Sequence, residues 1–253
     1  MRNVSYLFVF ALTSLFTVSC EDSVSDEFEN VNGKVENKLI KEITITSAQD
    51  SEENRNINLS YNTNGTLNTI TNGTDTSIFV YNSGELETIT GSEDNLNIEE
   101  LYDSPYDAFE TGKVEEYDDN GNPKKILFYE EEYDDNYEEN VINEYTAELS
   151  YDETHNPFFY TLESAGIITV LDNVQLNFSL NPEMPSIIQA RLLFPVNNLS
   201  QIVYKDSQGE IVHTINANFV YDEDNYPTSA TVTSVSVEDS EQNTISVSFE
   251  YVD

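Results

Sequence analysis

Glu144-Tyr145-Thr146-Ala147-Glu148-Leu149-Ser150-Tyr151-Asp152-Glu153-Thr154-His155-Asn156-Pro157 carries the two signals on which the fold depends. In its first half Tyr145, Ala147, Leu149 and Tyr151 oppose Glu144, Thr146, Glu148 and Ser150. A period of two over this length is a β-strand with one buried face. The second half reads as a turn, with His155 inside it. A short carboxylate after an aromatic strand end bonds the backbone ahead of it, Asn tolerates a positive φ, and Pro restarts the chain where a missing N–H does least harm.

Both signals recur outward from this stretch. Ile57, Leu59 and Tyr61 alternate with Asn58, Ser60 and Asn62, and Ile245, Val247, Phe249 and Tyr251 alternate with Thr244, Ser246, Ser248 and Glu250. The turn unit returns at Tyr61-Asn62-Thr63-Asn64-Gly65, Tyr81-Asn82-Ser83-Gly84, Tyr117-Asp118-Asp119-Asn120-Gly121-Asn122-Pro123 and Tyr221-Asp222-Glu223-Asp224-Asn225-Tyr226-Pro227. Tyr204-Lys205-Asp206-Ser207-Gln208-Gly209 is a looser copy. Strands buried on both sides would read as unbroken apolar runs, so one polar face per strand points to antiparallel pairing. The expected fold is all-β: an antiparallel meander of hairpins forming a curved sheet or a soluble barrel-like domain. Helix is expected only as a turn or two within residues 100–109 and 187–194, limited by Pro105, Pro185 and Pro195. A transmembrane barrel would alternate too, but the dense charge and the lack of an aromatic at Asp253 argue against it.

The Tyr-Asp-x-x-Gly units resemble YD-repeat segments. Together with Asn156-Pro157-Phe158, Asn197-Asn198-Leu199 and the closing Phe249-Glu250-Tyr251, they resemble uncharacterised Bacteroidota lipoproteins described as porin-like. That resemblance implies a fold and an envelope address, and it brings no activity with it.

The N-terminus gives the same address. Arg2 is followed by an apolar run from Tyr6 to Val18, broken only by Thr13, Ser14 and Thr17, and no acidic residue precedes Glu21. This is the pattern of a secretory signal, too short for the roughly 20 apolar residues of a membrane span. Thr17-Val18-Ser19-Cys20 resembles the lipobox of bacterial lipoproteins, although Thr17 replaces the usual Leu. Residues 1–19 are therefore expected to be a lipoprotein signal peptide, Cys20 the lipidated residue, 20–36 an acidic flexible tether and 37–253 a single all-β domain. Acidic residues directly after the Cys resemble the surface-export signal of Bacteroidota lipoproteins. Outer-membrane attachment is what they imply, with the facing left open.

Without residues 1–19 the chain holds nine Lys and Arg against 48 Asp and Glu. Such a charge repels nucleic acid and anionic headgroups. Only two histidines occur, with no ligand-spaced neighbours and no second cysteine. Zinc and Cys- or His-based hydrolysis are therefore disfavoured, and no nucleophile elbow or phosphate loop is present. His213 lies on the apolar face of its strand with Ile211, Ile215, Ala217 and Phe219, a core position. No cofactor is expected. Calcium is the one ion the acidic loops could hold, with Asp118, Asp119, Asn120, Asp134, Asp135, Asp222 and Asp224 as candidate ligands. The EF-hand-like start at Glu116 fails, however, because Leu127 stands where the closing Glu belongs. Three functional readings remain: a non-catalytic structural or binding component of the envelope that meets envelope proteins or glycans, a glycan-binding accessory lipoprotein, or a glycosidase built on two carboxylates. A row of exposed coplanar tyrosines would favour the second, and facing carboxylates in a deep cleft the third.

Overall fold

A computed structural model describes residues 23–91, 95–108, 112–134, 139–179, 185–237 and 240–252, with backbone only for 130–134 and 139–141. Cys20, Asp135 and the signal segment lie outside the described residues.

Thirteen strands form one antiparallel sheet. Six come from the first part of the chain: β1 (Ile40–Ser47), β2 (Arg55–Tyr61), β3 (Leu67–Thr71), β4 (Thr76–Asn82), β5 (Glu85–Thr90) and β6 (Leu96–Asn97). After helix α2 (Ile98–Asp103) and the two-residue β7 (Tyr106–Asp107) come β8 (Lys113–Tyr117), β9 (Pro123–Asp134) and β10 (Glu139–His155). Helices α3 (Phe159–Ser164) and α4 (Ile167–Asn173), strands β11 (Gln175–Asn177) and β12 (Ile187–Gln189) and a 3-10 turn at Ala190–Leu193 interrupt the meander. It resumes through β13 (Asn197–Lys205), β14 (Ile211–Tyr221), β15 (Pro227–Ser236) and β16 (Glu241–Tyr251). The strand order is β6-β5-β4-β3-β2-β1-β16-β15-β14-β13-β10-β9-β8, so the sheet is open, with β6 and β8 at its edges. The two halves of the chain are joined where β1 pairs with β16. A small second sheet, β12-β11-β7, includes one parallel pair between β11 and β7.

This topology explains the repeated unit. Alternate turns of a meander fall at the same rim of the sheet, and the Tyr units at 61, 81, 117, 151 and 221 all end strands that arrive at one rim. The looser copy after Tyr204 falls at the opposite rim. Four tyrosines at this rim reach across to the first residue of a neighbouring strand. Tyr61 donates its hydroxyl proton to the Ile40 carbonyl (2.5 Å), Tyr81 to Leu67 (2.6 Å), Tyr151 to Pro123 (2.7 Å) and Tyr251 to Pro227 (2.9 Å). Burial pushes the Tyr81 phenol up to about 12. The Asp that follows closes the turn. Asp118 Oδ1 accepts the N–H groups of Asn120 (2.9 Å) and Asn122 (2.8 Å), and Asp222 Oδ1 does the same for Asp224 and Tyr226, both at 2.9 Å. In these turns Gly121 (φ 84°) and Asn225 (φ 63°) supply the left-handed residue.

Two expectations need correction at this rim. The unit at Tyr151 is no hairpin, because β10 continues through a bulge to His155, which sits opposite Asn197 on β13. His155 is therefore a buried strand residue, not a turn residue. The expected flexible tether also fails over residues 24–32, which form helix α1 (Val24–Asn32) with Val24 and Phe28 buried. Ser23 and Asp26 make a capping box at its start, satisfying two N–H groups that a helix end leaves open. Phe28 stacks on Phe159 of α3, with ring centroids 3.7 Å apart. Beyond α1, the carbonyls of Val35 and Glu36 accept the hydroxyls of Tyr160 and Tyr226. Acidic composition keeps the exposed face of this helix in water, while Val24, Phe28 and Val31, spaced at helical intervals, provide its buried stripe.

The core has two parts. Leu67, Phe79 and Leu86 from β3 to β5 meet Ile98 of α2, Ala165, Val170 of α4 and Leu176 of β11. Val24 and Phe28 of α1, Phe159 of α3, Ile168 of α4 and Val196 form the second part.

Candidate functional site

Two concavities stand out, one polar and one apolar. The polar cleft, of about 730 Å³, opens beside the turn-bearing rim and is walled by Asp118, Asn120, Asp152, His155, Asn197 and Asp224 among others. It brings together turns that lie about a hundred residues apart in sequence. Polar side chains on and behind its wall bond one another. Asn122 is fully buried; its Oδ1 accepts the N–H groups of Val196 (2.8 Å) and Asn197 (3.1 Å), and its Nδ2 donates to Asp118 Oδ2 (2.9 Å) and Asn197 Oδ1 (2.8 Å). Asn197 Nδ2 donates onward to Asn32 Oδ1 (3.3 Å) and the Thr154 carbonyl (3.2 Å). Asn198 Nδ2 donates to the Tyr221 hydroxyl (2.9 Å), which itself donates to Asp152. Lys38 Nζ bridges Asp222 (2.7 Å) and Asp224 (2.6 Å). Burial works against the Lys38 ammonium, but the two carboxylates outweigh it and hold its pKa above that of an ordinary lysine. These are the bonds of a rim locking itself together.

Of the calcium candidates, Asp118, Asn120 and Asp224 line this cleft, Asp222 adjoins it through Lys38, and Asp119 projects from its turn. Asp134 ends β9, with no side-chain description. Among the described residues no three His, Cys, Asp or Glu side chains are grouped to hold a metal. The second histidine, His213, is half-buried on the expected face and lies 2.7 Å from Ser234 Oγ.

His155 lies between the cleft and the core. Its ring meets Tyr226 edge-on at 4.3 Å and Phe28 at 6.3 Å, and its Nε2 has no hydrogen-bond partner among the described residues. Burial lowers its pKa, against the opposing pull of Asp222 and Asp152. A histidine held neutral in the fold stabilises it above its unfolded pKa, and that contribution is lost as pH falls through about 6.5 toward the folded value. Thermal melts between pH 7.5 and 5 should therefore show the wild type losing stability relative to His155→Phe. A difference between the two that stays constant with pH would contradict this reading.

The second concavity is a groove of about 460 Å³ walled by Leu96, Leu101, Tyr106, Ala108, Val170, Leu171, Val174, Leu176, Ala190, Leu193, Phe194 and Pro195. Six short segments build it: β6, α2, β7, α4, β11 and the 3-10 turn. All of them interrupt the strand meander or lie at its edge. Leu96 is 40% exposed and Tyr106 56% exposed at its lip. Its volume lies within the 300 to 1,000 Å³ range usual for small-molecule sites. A contiguous apolar hollow on so acidic a protein has no structural purpose comparable to that of the polar network, whose groups satisfy each other. Sequence reasoning misses it; the only signal is that residues 100–109 and 187–194 lack the strand period.

The chain is similar to porin-like proteins of Bacteroides. To the one from Bacteroides uniformis it is 12% identical over 87% of this chain and 99% of that one, with a TM-score of 0.37. To the one from Bacteroides vulgatus it is 12% identical over 85% and 99%, with a TM-score of 0.42. A LolA superfamily protein from Nitrosomonas europaea is similar at 10% identity, over 90% of each chain, with a TM-score of 0.25. No protein-family model and no curated protein matches the chain.

Proposed function

We propose that this chain is a lipid-anchored, non-catalytic component of the cell envelope, held through Cys20, that binds apolar chains in the groove between α2, α4 and the 3-10 turn. The observation that carries this reading is the groove: twelve side chains, with no Asp, Glu, Lys, Arg or His among them, around one hollow. Such a surface holds a ligand by excluding water, and the Tyr106 hydroxyl at its lip is the one polar side-chain group among these twelve residues. The polar cleft supports catalysis less well because Asp118, Asp152 and Asp224 on its wall are tied to backbone N–H groups, the Tyr221 hydroxyl and Lys38. The tyrosines support glycan stacking less well because Tyr61, Tyr81, Tyr151 and Tyr251 commit their hydroxyls to the sheet rim.

The test uses Cys20→Ala protein, which should leave the membrane fraction and remain folded. Titrated with a fluorescent fatty acid, it should bind saturably at one site, and Tyr106→Glu, at the exposed lip, should abolish that binding without lowering the melting temperature of the sheet. Absence of saturable binding in the folded protein would overturn the assignment of the groove.

A further inference from the structure

The groove has an occupant within reach on the same chain. Helix α1 is fixed at its first residues: the Val24 N–H donates to Asp172 Oδ1 of α4 at 2.9 Å, and Glu27 pairs with Arg191 of the 3-10 turn at 2.6 Å. Those two elements are also walls of the groove. Leu171, next to Asp172, and Phe194 pack against the cluster containing Val24 and Phe28 on one side and line the groove on the other. The chain therefore enters its fold at the edge of the apolar hollow. Only residues 21–23 separate Cys20 from Val24. An extended chain covers at most about 3.6 Å per residue, so Cys20 lies within about 14 Å of Val24.

We propose that the apolar chain held by the groove is an acyl chain carried on Cys20 of the same molecule. The inference rests on the reading of Cys20 as the lipidated residue. It has a consequence for how the protein sits on a membrane. A single acyl chain gives only marginal, reversible attachment, and firm anchoring takes more than one. Each chain drawn into the groove leaves one fewer in the bilayer, so occupancy of the groove sets whether the anchor is firm or releasable. Competing apolar ligands would drive the acyl chain back into the membrane and tighten attachment.

The experiment uses the full-length protein made in its own envelope, from cells fed a palmitate that carries a photoactivatable diazirine. After irradiation, the lipidated N-terminal peptide is isolated and its crosslinked partners are mapped. Crosslinks should fall on peptides of the same chain containing Leu101, Tyr106, Leu171 or Leu193. They should be lost in Leu96→Glu/Tyr106→Glu, whose substitutions sit at the exposed lip and leave the fold intact by circular dichroism. Label at Cys20 with crosslinks only to phospholipid, or only between two copies of the chain, would overturn the inference while leaving the lipoprotein reading in place. No label at Cys20 would overturn both.

Discussion

Replacing Asn122 with Leu should destabilise the domain by about 2 to 6 kcal/mol, because it strips two buried backbone N–H groups of their acceptor at about 1 to 3 kcal/mol each. The side chain is fully buried and all four of its bonds are internal. Leu has the same branched skeleton of four side-chain heavy atoms, is somewhat larger, and leaves no room for a rescuing water. The Val196 and Asn197 N–H groups lie where β13 begins, so the loss should loosen the pairing of β13 with the end of β10. Asn122→Asp makes the informative comparison. It keeps the acceptor for both N–H groups but sets a second carboxylate against Asp118, so its deficit should shrink as acid protonates one of the pair. Urea unfolding at pH 7 and pH 5 measures both effects. A change below about 1 kcal/mol for Asn122→Leu would show that the network is ornamental.

The second large effect is expected at Phe28. Truncation to Ala removes a ring that stacks on Phe159 and meets the edges of His155 and Tyr160. Removing a buried Phe side chain typically costs about 3 to 5 kcal/mol, part of it for the cavity left behind. Glu29→Ala, one residue on but exposed, should change little. Were residues 20–36 a loose tether, both substitutions would be equally silent. Urea unfolding of Phe28→Ala and Glu29→Ala beside the wild type measures both, and would show α1 separating before the sheet if its docking were a weaker, independent unit.

Much of the fold is legible in the sequence because strand and turn signals are local. The alternation in residues 245–251 and the Asp118 and Asp222 turns each use neighbours within five positions, and each appears at its expected place. The Tyr-Asp unit at 151 misleads because its Asp still bonds the N–H two residues on, at Thr154, yet the chain continues as a bulged strand. Whether such a unit turns depends on the residues beyond it, and here Asn156 turns the chain instead, into α3. Helices α3 and α4 escape notice because they are short and lack side-chain caps: Phe158 and Gly166 stand at their N-caps. Helix α1 does carry its signals, a Ser23–Asp26 capping box and an apolar stripe at Val24, Phe28 and Val31, hidden by the acidic composition around them. The groove is out of reach for a different reason. Its walls come from segments up to about a hundred residues apart, and no period or spacing joins Leu96 to Leu193 before the fold does.

The proposed seating of a Cys20 acyl chain in the groove depends on docking of the acidic N-terminal segment as α1. Amide hydrogen exchange over residues 24–32 tests that docking most directly. Protection of the Phe28 to Asn32 amides comparable to that of β1, lost in Phe28→Ala while β1 stays protected, is the predicted result. Exchange of these amides at the rate of an unstructured peptide in the wild type would contradict the account.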